Sequence, residues 1–240
     1  MSADTVEPIE EMAAFFDARA AGYDDYIRDE ILPDDEFAGF YQALSAPIDV
    51  LSSRSGGTGA PLRILDLGCG TGLEFEALFE KAPNAQVTGI DLAEGMLEKL
   101  KSRYDAHAGQ IQLVVDSFLT MDLGHEAYNV AISALSAHHL LRDAKLELYR
   151  KIHAALKPGG TYIEGDSVIP LEAEDEFLDE YRRDAATVPP APDGTYHLDI
   201  PFSLQTQQAL LLEAGFRDFE LIWQKDPTMV WNIAVYVVTK

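Results

Sequence analysis

The segment from Leu62 to Glu74 constrains the fold more than any other part of this 240-residue chain. It reads LRILDLGCGTGLE, and its apolar run predicts a buried strand over 62–67 followed by a helix from about Leu73. Between strand and helix, every second residue is a glycine: Gly68, Gly70 and Gly72. Glycine is required where the backbone turns sharply or lies against a ligand, because a Cβ would block both. The segment therefore predicts a strand–loop–helix unit whose main chain contacts a small molecule.

The spacing of the glycines distinguishes between the classes of ligand that such a loop can bind. Dinucleotide-binding loops have the pattern Gly-x-Gly-x-x-Gly, and here the third glycine comes one residue early. A phosphate-binding P-loop ends in Gly-Lys-Ser/Thr, whereas the first lysine after this loop is Lys81. A second strand, predicted over 86–91, ends in Asp91, where a carboxylate can accept both hydroxyls of a ribose. The pattern favours a nucleoside without a pyrophosphate.

Five motifs in order resemble the class I S-adenosylmethionine (SAM)-dependent methyltransferases of the small-molecule type. The resemblance covers roughly residues 62–169, with a weaker continuation to 240. Its motifs are DLGCGTG at 66–72, IDL at 90–92, VVDSF at 114–118, YNVAISALS at 128–136 and LKPGG at 156–160. The resemblance implies SAM as cofactor, S-adenosylhomocysteine as product, and a Rossmann-like sheet.

Strands and helices alternate through the middle of the chain, which predicts an α/β fold with a doubly wound, mostly parallel sheet and helices on both faces. Seven strands are predicted, the last two forming a C-terminal antiparallel hairpin that turns at Asp226-Pro227. The predicted strands are 62–67, 86–91, 111–116, 128–134, 160–168, 217–224 and 229–239. The predicted helices are 10–21, 37–51, 73–82, 94–104, 143–156, 172–187 and 203–214. Residues 1–60 are expected to form a helical cap that ends in a flexible connector over 52–60. Residues 61–240 are expected to form the SAM-binding domain, with a lid insertion at about 170–202.

Composition narrows the class of partner. Eighteen Lys and Arg against 41 Asp and Glu give a net charge of −23, which opposes nucleic-acid binding. The single cysteine, Cys69, excludes an internal disulfide and fits a reducing compartment. No apolar run is long enough to span a membrane, and the N-terminal residues lack a signal-peptide pattern. We expect a cytoplasmic monomer or homodimer acting on a small molecule.

The resemblance implies a set of cofactor-binding positions. The glycine loop is expected to contact the methionyl end and ribose, Asp66 to orient the amino group, and Asp91 to bind the ribose hydroxyls. Adenine is expected between apolar residues after the second strand and polar or aromatic residues after the third. The full predicted set is Asp66, Gly68, Cys69, Gly70, Gly72, Asp91, Leu92, Met96, Asp116, Ser117, Phe118 and Ser133. The alternative for Asp91 is an acid at the start of the next helix, and the alternative for Asp116 is a turn or N-cap residue.

Catalytic candidates follow the fourth and fifth strands, because ligands of open α/β sheets meet the carboxyl ends of the strands. His138 is predicted to position the acceptor or to act as a base, and Asp166 to face the substrate. His139 is expected to pack inward. No metal is predicted, because no carboxylate or cysteine is spaced in the sequence to complete a site with the two histidines.

The acceptor pocket is expected beneath the N-terminal helices and the insertion. Its predicted lining is aromatic: Phe16, Tyr23, Tyr26, Tyr181 and Trp231. Methyl transfer to a small molecule is the predicted function. Two alternatives are a methyltransferase that modifies tRNA wobble bases, which the missing basic patch disfavours, and a SAM- or S-adenosylhomocysteine-binding protein without catalysis.

Overall fold

The computed structural model describes residues 9–55 and 60–240. Seven strands form one sheet in the order β3-β2-β1-β4-β5-β7-β6, with β1 to β5 parallel and β7 antiparallel to both of its neighbours. The strands are β1 (Arg63–Leu67), β2 (Gln86–Asp91), β3 (Ile111–Val115), β4 (Tyr128–Ala134), β5 (Leu156–Val168), β6 (Arg217–Gln224) and β7 (Asn232–Thr239). The predicted fold class is confirmed, including the antiparallel hairpin at the C-terminus.

Helices cover both faces of the sheet. They are α1 (Met12–Arg19), α2 (Tyr23–Tyr26), α3 (Asp35–Ser55), α4 (Phe75–Lys81), α5 (Glu94–Arg103), α6 (Arg142–Ala155), α7 (Glu174–Ala185) and α8 (Leu204–Glu213). Single turns of other helical types lie at Ala20–Gly22, Ile27–Ile31, Asp105–His107, Ala137–His139 and Leu171–Ala173. Each predicted helix is present, with ends that differ by at most four residues.

Adjacent residues of β1 face different cores, as strand geometry requires. Ile64 packs in the apolar cluster that contains Phe40 and Leu44 of α3 and Phe75 of α4. Leu65 packs on the opposite face, in the cluster that contains residues of α6 and α8. A central strand buried on both faces explains the continuous apolar run in the sequence.

The two largest differences from the predicted boundaries, four residues each, are at the end of α3 and at the start of β5. The connector expected over 52–60 is wrong for residues 52–55, which continue α3, and residues 56–59 lie outside the described part of the chain. Strand β5 begins at Leu156 instead of residue 160, because the LKPGG segment pairs with β4 through a register shift. Gly159 makes this path possible with a φ of +75°.

The N-terminal helices lie over the carboxyl ends of the strands. Gly95 N–H of α5 donates to Asp17 Oδ1 at 2.8 Å, and the Lys99 ammonium donates to the Ala20 carbonyl at 2.8 Å. The N-terminal segment also pairs with the region after α7, since Met12 N–H donates to the Thr195 carbonyl at 2.8 Å. Within the described ranges we find no helix with the length and apolarity that crossing a membrane requires.

Candidate active site

The three glycines of the loop after β1 all have positive φ, and only one of them faces open space. A Cβ on Gly68 would lie 2.5 Å from Ser136 Cβ, and one on Gly72 would lie 2.9 Å from Leu100 Cγ. A Cβ on Gly70 would meet nothing within 4 Å. Gly68 and Gly72 therefore allow close packing inside the protein, whereas the bare backbone at Gly70 borders the cleft.

Asp91, at the end of β2, is fixed by the loop that it faces. Its Oδ2 accepts from Gly70 N–H at 2.8 Å, and its Oδ1 accepts from Ala93 N–H at 2.9 Å. Burial raises the pKa of Asp91, and these backbone donors oppose the rise. Each carboxylate oxygen keeps a second lone pair for a ligand hydroxyl.

A first pocket of about 650 Å³ opens at the carboxyl ends of β1, β2 and β4. We call it the cofactor pocket. Seven of the predicted cofactor positions line it: Gly68, Gly70, Asp91, Leu92, Met96, Ser117 and Phe118. Three apolar side chains that the sequence did not single out, Leu119, Leu135 and Leu140, also line it.

The other five predicted cofactor positions do not line this pocket. Cys69 is buried with its sulfur against Gly89, and Gly72 packs on Leu100. Ser133 is buried and shares a 2.7 Å hydrogen bond with Ser136 Oγ. Asp116 accepts from Ser117 N–H at 2.7 Å, the turn role that was the alternative for this residue. Asp66 is fully buried beneath the loop.

Asp66 and Glu74 form a buried acidic pair under the loop. Neither carboxylate oxygen of Asp66 has a hydrogen-bond partner among the described residues. Burial raises the pKa of Asp66 to about 7. Burial and then repulsion from Asp66 raise the pKa of Glu74. Unpartnered buried carboxylates favour a cationic ligand group, which the ammonium of a methionyl moiety supplies.

A second, larger pocket of about 1830 Å³ lies beside the first, and we call it the acceptor pocket. Four residues line both pockets and form what we call the shared wall: Phe16, Tyr23, Leu135 and His139. Leu135 has a φ of +51°, which is unusual for a leucine, and its N–H donates to the Gly165 carbonyl at 2.8 Å. The backbone after β4 is thus held in a strained turn where the two pockets meet.

The predicted acceptor residues divide into two groups. Phe16, Tyr23, Tyr26 and Trp231 line the acceptor pocket, together with Phe15. Tyr181 lines neither pocket, and its hydroxyl donates to Asp193 Oδ1 at 3.2 Å. The insertion contributes instead through His197 and Asp199, which lie after α7.

His138 and Asp166 form a hydrogen-bonded dyad below the acceptor pocket. His138 Nδ1 lies 2.5 Å from Asp166 Oδ1, and Asp166 also accepts from the N–H groups of Ala137 and Ser167. Asp166 is fully buried behind the imidazole and lines neither pocket, so it does not face substrate as expected. Burial opposes the charged imidazole, but the Asp166 carboxylate raises the pKa of His138 above its ordinary value. Asp166 therefore fixes the imidazole, whose Nε2 is left for the pocket.

His139 does pack inward, as predicted, yet it lines both pockets. Asp199 Oδ1 lies 2.9 Å from His139 Nδ1 and 3.7 Å from His138 Nε2. This corrects the expectation that no carboxylate completes a set with the two histidines. Asp199 escaped the sequence analysis because it lies 60 residues further along the chain, in a segment without a motif. The same is true of His197, which stacks on Phe15 with ring centroids 3.5 Å apart.

The cations around the acceptor pocket are already engaged. Arg19 pairs with Glu10 at 3.0 Å and also donates to the Phe15 carbonyl. Lys225 pairs with Glu36 at 2.9 Å and donates to the Ile31 carbonyl. Apart from these paired cations, the pocket offers mainly aromatic surfaces, with two histidines and the Asp199 carboxylate at its base.

Asp24 joins the N-terminal helices to the glycine loop. Thr71 donates its hydroxyl to Asp24 Oδ1 at 2.6 Å, Arg103 forms an ion pair with Asp24, and Lys99 lies 3.6 Å away. The three partners hold the pKa of Asp24 below its usual value even though burial acts to raise it. Tyr23 and Phe16, which complete the shared wall, are positioned by this attachment.

The comparisons with known proteins agree with this geometry. A family model described as a methyltransferase domain matches residues 64–160. The carboxy-S-adenosyl-L-methionine synthase of Nautilia profundicola is 25% identical, with 98% of this chain and 97% of that protein covered. The trans-aconitate 2-methyltransferase of Rhodopseudomonas palustris is 29% identical over 42% of this chain and 36% of that protein. The solved CcbJ methyltransferase of Streptomyces caelestis has a TM-score of 0.61 at 19% identity, covering 95% of this chain and 98% of that one.

The family match spans β1 to the start of β5, which contributes most of the residues that line the cofactor pocket. This segment holds the open backbone at Gly70, the Asp91 carboxylate that ends β2, and Asp66, which has no hydrogen-bond partner among the described residues. Residues 64–160 thus carry a methyltransferase domain similar to those of the class I SAM-dependent enzymes, and SAM is the cofactor expected for it.

Proposed function

We propose that this enzyme transfers the methyl group of SAM to a nucleophilic oxygen or nitrogen of a small aromatic molecule that carries no carboxylate. The observation that carries the proposal is that the two pockets are neighbours: Phe16, Tyr23, Leu135 and His139, the shared wall, line both of them. A donor in one pocket and an acceptor in the other can then approach in line, which supplies much of the rate enhancement.

SAM supplies an activated methyl on a sulfonium, a good leaving group that needs no acid catalysis. The protein has three tasks: holding the donor, orienting the acceptor and excluding water. Asp91, Asp66 and the Gly70 backbone serve the first task, with Asp116 and Ser117 proposed near the adenine. His138, fixed by Asp166, orients the acceptor through Nε2. Phe16 and Tyr23 exclude water from the place where the methyl donor meets the acceptor.

The acceptor class follows from the charges and the side chains of the acceptor pocket. Phe15, Phe16, Tyr26 and Trp231 offer aromatic surfaces for a planar ring. Arg19 and Lys225 are paired with acids, so a substrate carboxylate would have to compete with Glu10 or Glu36 for either cation. The proposal therefore differs from trans-aconitate methylation, whose substrate is anionic.

Synthesis of carboxy-SAM is the second candidate, because the relative of that name aligns over 98% of this chain. A carboxylate on the transferred carbon would need a cation at the shared wall. The described residues that line the cofactor pocket include no lysine or arginine. This charge pattern favours methyl transfer.

Incubation with methyl-labelled SAM and matched pairs of aromatic acceptors, with and without a carboxylate, tests the proposal. We expect label in the neutral member of at least one pair and S-adenosylhomocysteine in equal amount. Label in the carboxylated members alone would contradict the proposed acceptor class. A carboxylated SAM product, detected by mass, would support the second candidate. The same assay with tRNA tests the wobble-base alternative, and turnover of any acceptor excludes a role limited to binding.

The acidic net charge supports a small-molecule partner, and the single cysteine supports a cytoplasmic location.

A further inference from the structure

We propose that His138, His139 and Asp199 bind a divalent transition-metal cation at the base of the acceptor pocket. Their nearest ligand atoms all lie within 4.8 Å of one another. All three residues line the acceptor pocket. The metal site does not depend on methyl transfer, whereas its role in orienting the acceptor does. A bound cation would also offer a substrate carboxylate the charge that Arg19 and Lys225 do not, so the acceptor class proposed above applies to the metal-free pocket.

The separations fit one ion. His139 Nδ1 and Asp199 Oδ1 are 2.9 Å apart, and His138 Nε2 and Asp199 Oδ1 are 3.7 Å apart. Ligands about 2.0–2.2 Å from a zinc-like ion lie roughly 3–4 Å from each other. Adjacent histidines can converge here because one uses Nε2 and the other the shorter reach of Nδ1. Their ring centroids are 4.0 Å apart.

A second observation points to a missing ligand. His139 is only 4% exposed, and neither of its ring nitrogens makes a hydrogen bond among the described residues. The contact with Asp199 is short but lacks hydrogen-bond geometry. A buried imidazole without a hydrogen bond is costly unless a ligand satisfies it.

Supporting contacts hold the three residues in place. Asp166 accepts from His138 Nδ1, the carboxylate–histidine arrangement that orients metal-binding imidazoles. The Ala137–His139 turn is held because Ala137 N–H donates to Asp166 Oδ2 at 2.9 Å. Ile200 N–H donates to the His138 carbonyl at 2.7 Å, which keeps Asp199 beside the histidines.

Two imidazoles and one carboxylate favour Zn²⁺, Fe²⁺, Mn²⁺ or Co²⁺ over Mg²⁺, which prefers oxygen ligands alone. Three protein ligands leave coordination positions open toward the acceptor pocket, as in catalytic metal sites. His138 would then orient the acceptor through the cation. An acceptor hydroxyl bound there becomes more acidic and can release its proton to water at the pocket mouth.

The test is a titration of chelator-treated protein with Zn²⁺ by calorimetry and with Co²⁺ by visible absorption. We expect one ion per chain and a Co²⁺ spectrum typical of nitrogen and oxygen ligands. His139→Ala and Asp199→Asn should each weaken binding by at least about 100-fold, and Asp166→Asn by about 10- to 100-fold. His125→Ala, which removes an exposed histidine elsewhere, should bind like the wild type.

Circular dichroism checks the folding of every variant. SAM affinity is a second check for Asp199→Asn and Asp166→Asn, because neither residue lines the cofactor pocket, whereas His139 does. The proposal would be overturned by the absence of a stoichiometric ion in the wild type, or by binding in Asp199→Asn and His139→Ala that is as tight as in the wild type. Full methyl transfer by metal-free protein would overturn the orienting role and leave the proposed function standing. Stoichiometric Zn²⁺ binding without methyl transfer would support the site while the proposed function fails.

Discussion

At the scale of single residues, the cofactor pocket depends on one bare backbone position and one carboxylate. Gly70 lets main chain border the cleft, and its N–H also fixes Asp91. Asp91 is therefore oriented before any ligand binds, which lowers the entropy lost on binding. Gly68 and Gly72 belong to the internal packing of the same loop.

The residue scale yields a prediction for the cofactor. Asp91→Ala removes the proposed acceptor of the ribose hydroxyls, so SAM binding should weaken by about 1.5–3 kcal/mol. Calorimetry with SAM measures the change. Asp105→Ala, which removes an exposed carboxylate after α5, should bind as tightly as the wild type. An unchanged affinity in Asp91→Ala would rule out the ribose assignment.

A second prediction at this scale concerns the acceptor. His138→Ala should lower turnover on the order of 100-fold, since positioned groups of this kind typically contribute that much. The dissociation constant for SAM should stay the same, because His138 does not line the cofactor pocket. His125→Ala is the control for both measurements. Parallel loss of turnover and SAM affinity would mean that His138 has only a structural role.

At the scale of elements, the N-terminal helices complete a site that the sheet alone leaves open. α1 and α2 contribute Phe16 and Tyr23 to the shared wall, and Asp24 attaches them to Thr71, Arg103 and Lys99. The attachment joins the start of the chain to the glycine loop and α5. The packing of α1 and α2 against the glycine loop and α5 therefore covers the cofactor pocket.

The matched pair Asp24→Asn and Asp25→Asn tests this attachment. Asp25 is the exposed neighbour on the same helix. Asp24→Asn loses its charged contacts and should increase hydrogen exchange in residues 12–26 and weaken SAM binding several-fold. Asp25→Asn should change neither quantity. Equal exchange in the two variants would show that Asp24 does not hold these helices down.

The elements and the site differ in how far sequence predicts them. The glycine loop and the acid after β2 act through backbone conformation and local spacing, so Gly70 and Asp91 could be located without a structure. Asp199 and His197 could not, because they reach the site through a loop whose path depends on long-range packing. Tyr181 shows the reverse error, since its aromatic character suggested a pocket that its own side chain does not line. Asp166 lies at the predicted strand end, but its burial behind His138 is a tertiary feature.

At the scale of the whole molecule, the buried pair Asp66 and Glu74 links stability to pH. Burial raises the pKa of Asp66 to about 7. An unfolded aspartate titrates near pH 4, so between about pH 4 and 7 the folded protein binds more protons than the unfolded chain. The free energy of unfolding must therefore fall, through this group, as pH rises across that window.

Asp66→Asn should remove this dependence. Relative to the wild type, its free energy of unfolding should increase from pH 4 to 7 and level off above pH 7. Urea unfolding at a series of pH values measures the difference, with Asp105→Asn as the exposed control. A constant difference between wild type and Asp66→Asn would mean that Asp66 titrates normally in the folded protein.

The fold as a whole places the cofactor pocket and the acceptor pocket on either side of the shared wall. A crystal structure with S-adenosylhomocysteine tests that arrangement most directly. We predict the ribose hydroxyls on Asp91, the methionyl ammonium toward Asp66, and the sulfur against the shared wall, open to the acceptor pocket. A sulfur directed away from Phe16, Tyr23, Leu135 and His139, or a ligand bound outside the cofactor pocket, would contradict the account.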